Sequence, residues 1–242
     1  MPLTQILDDV LNRQWIDDDS MGSLRQCPRN ELLTTIQRRF ADTDSVTVQG
    51  NIFDICANVL GTEAGPWIRE LSAGPISNMI ALPFFRALAK CLGDEGFEIA
   101  TAKLANEYEN QLPLTAHALL EFDSKSQILD WIEQRLHSPN QPTKPDWGQL
   151  AAITGITWER IARWLDRGKP LSLVALDALN FCWNYDAGIG AWLHNHEPKL
   201  LTPADPDTMR ARLQQYAEDD PSPRVDRTVK MIVEHLHETY TA

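Results

Sequence analysis

Apolar residues recur at three- and four-residue intervals along most of the chain, which predicts helices almost throughout. Leu3, Ile6, Leu7, Val10 and Leu11, followed by Trp15, mark the first. The run Asp17-Asp18-Asp19-Ser20 breaks that pattern and reads as a solvated turn. Three adjacent carboxylates can also hold a divalent cation, but nothing beside them completes a calcium loop of the EF-hand type. Residues 28–40 predict a second helix with Leu32, Leu33, Ile36 and Phe40 inward, and Arg38 and Arg39 near its end suit the helix dipole. Ser45-Val46-Thr47-Val48-Gln49 is the best strand candidate, although a single short strand lacks a partner. Helices are predicted over 51–60, stopped by Gly61, and over 66–71, with Pro66 in the first turn. Residues 75–92 are apolar on most sides and predict the central helix of an amino-terminal core, kinked or split at Pro83. Helical segments over 97–108, 114–122 and 126–136 complete this region.

Three prolines within 138–145 and no apolar periodicity mark the clearest linker. The chain therefore divides into a helical domain over 1–138, a linker over 139–145, a compact helical unit over 146–196 and closing helices over 197–242. Pro206–Ala217 and Pro223–Thr239 are the two closing helices. Val225, Val229, Ile232, Val233 and Leu236 form a stripe on the second, which either folds back on the body or pairs with its twin in a homodimer. Phe181, Trp183, Tyr185 and Trp192 form an aromatic cluster that suits core packing better than base stacking.

The unit over 146–196 carries the most specific pattern. Leu150 and Ala151 lie on the inner face of a short helix, and Gly155 sits where the chain reverses. Ile156 plugs the gap after the turn, and Thr157 can cap a second helix through its side-chain oxygen. Ile161, Trp164 and Leu165 recur at i, i+3 and i+4, facing back onto the first helix. Gly168-Lys169-Pro170-Leu171-Ser172 leads to a third helix with Leu173, Leu176 and Leu179 inward. This segment, Pro145 to His196 at most, resembles the helix-turn-helix of the lambda-repressor-like family. The resemblance implies an all-α module whose second helix, at about 157–166, can enter the DNA major groove. It does not by itself fix function.

Charge refines that expectation. The formal net charge is −12, which disfavours non-specific nucleic-acid binding by the whole surface. Residues 1–144 carry 12 basic against 20 acidic side chains, residues 145–196 carry 4 against 5, and residues 197–242 carry 6 against 9. The motif-bearing segment is thus the least acidic, and its four cations fall within ten residues. On the DNA reading, Thr157, Trp158, Arg160 and Arg163 reach base edges, arginine being suited to paired hydrogen bonds with guanine. Arg167, Lys169 and Gln149 contact phosphates and set register. Four cations neutralise few phosphates, so affinity needs a dimer, and Glu159 and Asp166 repel the backbone. The competing expectation is an acidic, all-helical protein-binding module, an inhibitor or immunity-type protein for a basic partner such as a nuclease. Acidic surface then steers the encounter, Asp17 to Asp19 and the surfaces of 94–109 matter, and the helix-turn-helix-like unit is scaffold. On that reading Trp158 covers a partner or the amino-terminal domain, and the arginines are an ordinary solvated face.

No catalytic motif is present: no Gly-rich phosphate loop, GxSxG, HExxH or CxxC occurs, so no enzyme and no cofactor are expected. His194/His196 and His235/His237 lie beside Glu197 and Glu238 and invite a metal reading. Residues two apart on a helix point to different sides, which disfavours joint chelation. Cys27, Cys56, Cys91 and Cys182 lie far apart among apolar residues and read as reduced thiols. The amino terminus has no signal-peptide pattern and no apolar run spans a bilayer, so no membrane association and a cytoplasmic location are expected.

Overall fold

In a computed structural model of the chain, the described residues are 3–106, 115–137, 145–183 and 205–240. They form thirteen α-helices and no strand, an all-α fold. None of these helices is long and apolar enough to cross a membrane. Two compact units divide the chain, Met1–Asp123 and Ser124–Ala242.

The first unit holds α1 (Leu3–Leu11), α2 (Asp18–Arg25), α3 (Arg29–Ala41), α4 (Val46–Ile55), α5 (Gly65–Ser72), α6 (Ala81–Leu92) and α7 (Asp94–Asn106). As the pattern predicts, α6 is central: it packs against α4, α5, α7 and a 3-10 segment, Thr115–Glu121. Phe53, Phe84 and Phe85 are fully buried, with successive ring centroids 5.2 and 6.0 Å apart in edge-on contact. Asn51, also buried, donates from Nδ2 to the carbonyls of Leu11 (3.1 Å) and Arg13 (2.9 Å). That satisfies carbonyls at the end of α1 and ties it to α4.

Three sequence expectations change here. The strand expected at Ser45–Gln49 is the start of α4. Ser45 caps it by accepting from the Val48 N–H, and the helix satisfies backbone groups that a strand without a partner leaves bare. The acidic run expected as a turn starts α2. Asp17 is its N-cap, accepting from the Ser20 N–H at 2.7 Å, while Asp18 and Asp19 meet the positive helix end. Pro83 neither kinks nor splits a helix over 75–92. It lies in the first turn of α6, where no N–H is needed, and a 3-10 turn, Asn78–Ile80, precedes it.

The second unit holds α8 (Lys125–Arg135), α9 (Pro145–Thr154), α10 (Trp158–Arg167), α11 (Leu171–Trp183), α12 (Pro206–Asp219) and α13 (Pro223–Tyr240). α11 is its centre, packing on α9, α10 and α13, with α9–α11 the most extensive helix pair described. Val225, Val229 and Ile232 of α13 are buried, so this helix folds back on its own unit. The units part between Asp123 and Ser124, so α8 belongs with the second unit and packs on α9, whereas the sequence pattern assigns it to the first domain. The expected linker lies outside the described residues apart from Pro145, the first residue of α9.

Candidate nucleic-acid interface

The turn between α9 and α10 is built as the sequence suggests. Gly155 has φ 86°, in the left-handed region that favours glycine. The Gly155 N–H donates to the Ala152 carbonyl (2.9 Å) and the Ile156 N–H to the Ala151 carbonyl (3.1 Å). This paired arrangement is a Schellman motif, which satisfies the last carbonyls of α9. Ile156 is buried just behind it. Thr157 then caps α10, its Oγ1 accepting from the Arg160 N–H at 3.4 Å; the Glu159 carboxyl is held low by its own backbone N–H and, after it, by the Thr157 side chain.

α10 has a pronounced division between faces. Ile161, Trp164 and Leu165 are buried. At about 100° per residue the opposite ridge carries Glu159, Arg163 and Asp166, all exposed. Arg160 and Arg167 lie together on one flank, Trp158 and Ala162 on the other. Thr157 is exposed, and Trp158 and, on α9, Gln149 are half-buried.

Arg160 is not free on its flank. It donates to Asp130 Oδ1 (2.7 Å) and Glu133 Oε1 (2.9 Å), both on α8, and its side chain is only 15% exposed. Glu133 also accepts the Trp164 indole N–H at 2.6 Å and pairs through Oε2 with Arg167 at 2.9 Å. One carboxylate, 13% exposed, therefore closes a buried indole donor and two guanidinium groups. On the other side Arg212 of α12 pairs with Asp166 and donates to the Ala162 carbonyl at 3.3 Å. Lys169, after α10, pairs with Asp220 at 2.9 Å. Burial pushes the Asp220 carboxyl up, but Lys169 and Ser222 outweigh it, so it titrates below the usual carboxylate range. Tyr216 donates to the buried Ser172 hydroxyl at 2.5 Å, fixing α12 against the start of α11.

Of the expected DNA contacts, Thr157 and Arg163 are therefore exposed, at the start and on the outer ridge of α10, while Trp158 lies half-buried on a flank. Arg160, Arg167 and Lys169 are held by carboxylates from outside the three helices, and Arg163 is the only one of the four cations without a carboxylate partner among the described residues. The sequence pattern misses Asp130, Glu133, Arg212 and Asp220. A buried Trp164 does signal the need for an acceptor, but not which carboxylate supplies it.

Among the described residues, the other candidate chemistry is buried or internally neutralised. Among the described residues no group of His, Cys, Asp and Glu is arranged to hold a metal ion. The histidine pairs lie outside the residues whose side chains are described. A cleft of roughly 410 Å³ between α1 and α2 is lined by Asp9, Asp17 and Asp19, but Arg13 spans it and pairs with Asp9 and Asp17. Cys56, Cys91 and Cys182 are buried free thiols, and Cys27 is a half-buried one. Burial pushes Cys91 and Cys182 up to about 12 and Cys56 well above its ordinary value, so these three are poor nucleophiles at neutral pH. No family model matches the chain, and neither any curated protein nor any solved structure matches it.

Proposed function

We propose that this chain is a non-enzymatic DNA-binding regulatory protein, of the kind used in transcription regulation, that reads a duplex with the outer face of α10. The observation that carries the reading is the presentation of that helix. A tight turn at Gly155 and a Thr157 cap set it off, and its apolar stripe turns inward, which leaves Thr157 and Arg163 exposed and Trp158 half-exposed on a flank. In this reading Arg163 reaches a guanine edge, Thr157 and Gln149 contact phosphate, and Trp158 packs on the sugar-phosphate wall. Arg160 acts as a positioning residue, fixing α10 against α8. With so few cations available, useful affinity requires a homodimer that places two copies of α10 on successive major-groove faces.

The test is a fluorescence titration of the full chain with duplexes selected from a random pool, with the oligomeric state read on the same samples. Arg163→Ala is expected to abolish sequence preference while leaving thermal stability unchanged. Sequence-selective binding retained by Arg163→Ala would overturn the reading. A second reading, the acidic protein-binding module, is favoured by one observation: three of the four cations are already neutralised. It becomes the better one if the protein is monomeric and binds no duplex at low salt.

A further inference from the structure

We infer that α8 and the end of α12 form a carboxylate clamp that occupies the phosphate-binding cations of the helix-turn-helix-like unit and holds its affinity for DNA down. The inference rests on the DNA-binding reading above and adds its regulation. Glu133 presents one oxygen to Arg160 and the other to Arg167, the arrangement a bridging phosphate offers to two guanidinium groups. Asp130 adds a second oxygen to Arg160. Asp220 does the same for Lys169 just past the helix end. Every one of these carboxylates comes from outside α9–α11, and two of the cations they hold, Arg167 and Lys169, are those the DNA reading assigns to phosphates.

The clamp has a firm part and a loose part. Arg160 has two carboxylate partners and little exposure, so it stays committed. Arg167 is 52% exposed and Lys169 is 42% exposed, each with a single carboxylate partner among the described residues. Their carboxylate partners are more covered, Glu133 at 13% and Asp220 at 21% exposure, but both cation heads are open to solvent, so a phosphate can approach and compete for these two heads. Their release requires only side-chain rotation, with α10 still seated by Ile161, Trp164 and Leu165.

Three full-length variants test this against a fluorescein-labelled mixed-sequence duplex. Glu133→Gln keeps an acceptor for the Trp164 N–H and removes the charge that holds Arg167. Asp220→Asn frees Lys169 without touching Glu133. Asp207→Asn, at an exposed carboxylate paired only with Arg210 among the described residues, makes the same change in net charge away from α10. Binding by Glu133→Gln and by Asp220→Asn is expected to tighten at least fivefold at low salt. The salt slope should steepen by about 0.9 per freed cation, with Asp207→Asn within about twofold of wild type. Equal tightening in all three variants overturns the clamp in favour of net charge. A wild type that binds and clamp variants that bind no better overturn the clamp alone. No binding by any of the four proteins at low salt overturns the DNA reading and the clamp with it. Circular dichroism melts establish that each variant is folded; should Glu133→Gln unfold, Asp220→Asn decides.

Discussion

Gly148 provides the most demanding test of how the second unit is packed. It lies in α9 where that helix crosses α11, and a Cβ built on it would stand 2.4 Å from the Asp177 Cβ and 2.7 Å from both the Asp177 carbonyl carbon and the Ala178 nitrogen. Ordinary contact begins near 3.4 Å, so Gly148→Ala requires the helices to separate by about 1 Å. Two of the opposing atoms are backbone and the third is a Cβ fixed to it, and α11 is also held by α10 and α13, so it has little room to yield. Overpacking of this kind costs about 1–3 kcal/mol. The same substitution gains up to about 1 kcal/mol of helix propensity. A 2.4 Å approach to atoms that cannot rotate aside takes the upper part of the overpacking range, so the net expectation is a loss of about 1–2 kcal/mol. Gly22 of α2 is the control, because a Cβ there meets nothing within 4 Å. Gly22→Ala should stabilise by up to about 1 kcal/mol. Urea unfolding of the full chain, followed by tryptophan fluorescence and near-ultraviolet circular dichroism, reads both. Trp131 and Trp147, with ring centroids 5.7 Å apart, report on the α8–α9 contact directly. If Gly148→Ala unfolds at the same or a higher urea concentration than wild type, the close α9–α11 crossing is wrong.

Two further outcomes are expected. Trp164, fully buried and bonded to Glu133, should lose about 3–5 kcal/mol as Trp164→Ala. Trp158→Ala, half-buried on a flank of the same helix, should lose about 1 kcal/mol or less; equal losses in urea denaturation would contradict the assigned faces of α10. The second outcome is a pair of opposite pH dependences. Hydrogen bonds from the Thr208 hydroxyl and N–H hold the Asp205 carboxyl below its ordinary 3.8, so its contribution is present above that value and is lost as pH falls through the depressed one. The stability gap between wild type and Asp205→Ala should therefore shrink below pH 3.8. Burial pushes Asp177 above 3.8 although Arg224 pulls it back, so wild type should gain on Asp177→Asn as pH falls from neutral through that raised value. Urea midpoints measured down the pH scale check both, and parallel slopes for the two variants would count against the assignment.

Local features were legible in the sequence where a single segment determines them. Ile161, Trp164 and Leu165 specify the inner face of α10 by spacing alone, and Gly155 and Thr157 announce the turn and cap because each supplies its own local chemistry. The Asp17 cap was available on the same grounds, but three successive carboxylates look like a solvated turn unless the Ser20 N–H is counted. Val46, Thr47 and Val48 mislead for a different reason. β-Branched residues favour strands, yet their preference is small, and burial of Ile52, Phe53 and Ile55 on the same segment decides for a helix. Arg160 marks the limit. Its partners Asp130 and Glu133 lie on a different helix, and charge spacing within one segment cannot say which carboxylate another helix delivers.

That limit bears directly on function, because a cation already held by a carboxylate must be won from it before it counts toward phosphate binding. The sequence offers four cations within ten residues, and release of counterions by all four would give a salt slope near −3.6, about 150-fold in affinity between about 50 and about 200 mM salt. With Arg163 the one of the four free of a carboxylate among the described residues, the slope is no steeper than about −0.9 per protomer and the same interval changes affinity only about 3.5-fold. Trp164 links this electrostatic outcome to the fold. Burying its indole requires an acceptor, Glu133 supplies one, and the charge Glu133 carries then draws in Arg160 and Arg167. The requirement that seats α10 therefore also commits two of its cations to a carboxylate, and an intermediate salt slope would count how many cations a duplex can win back.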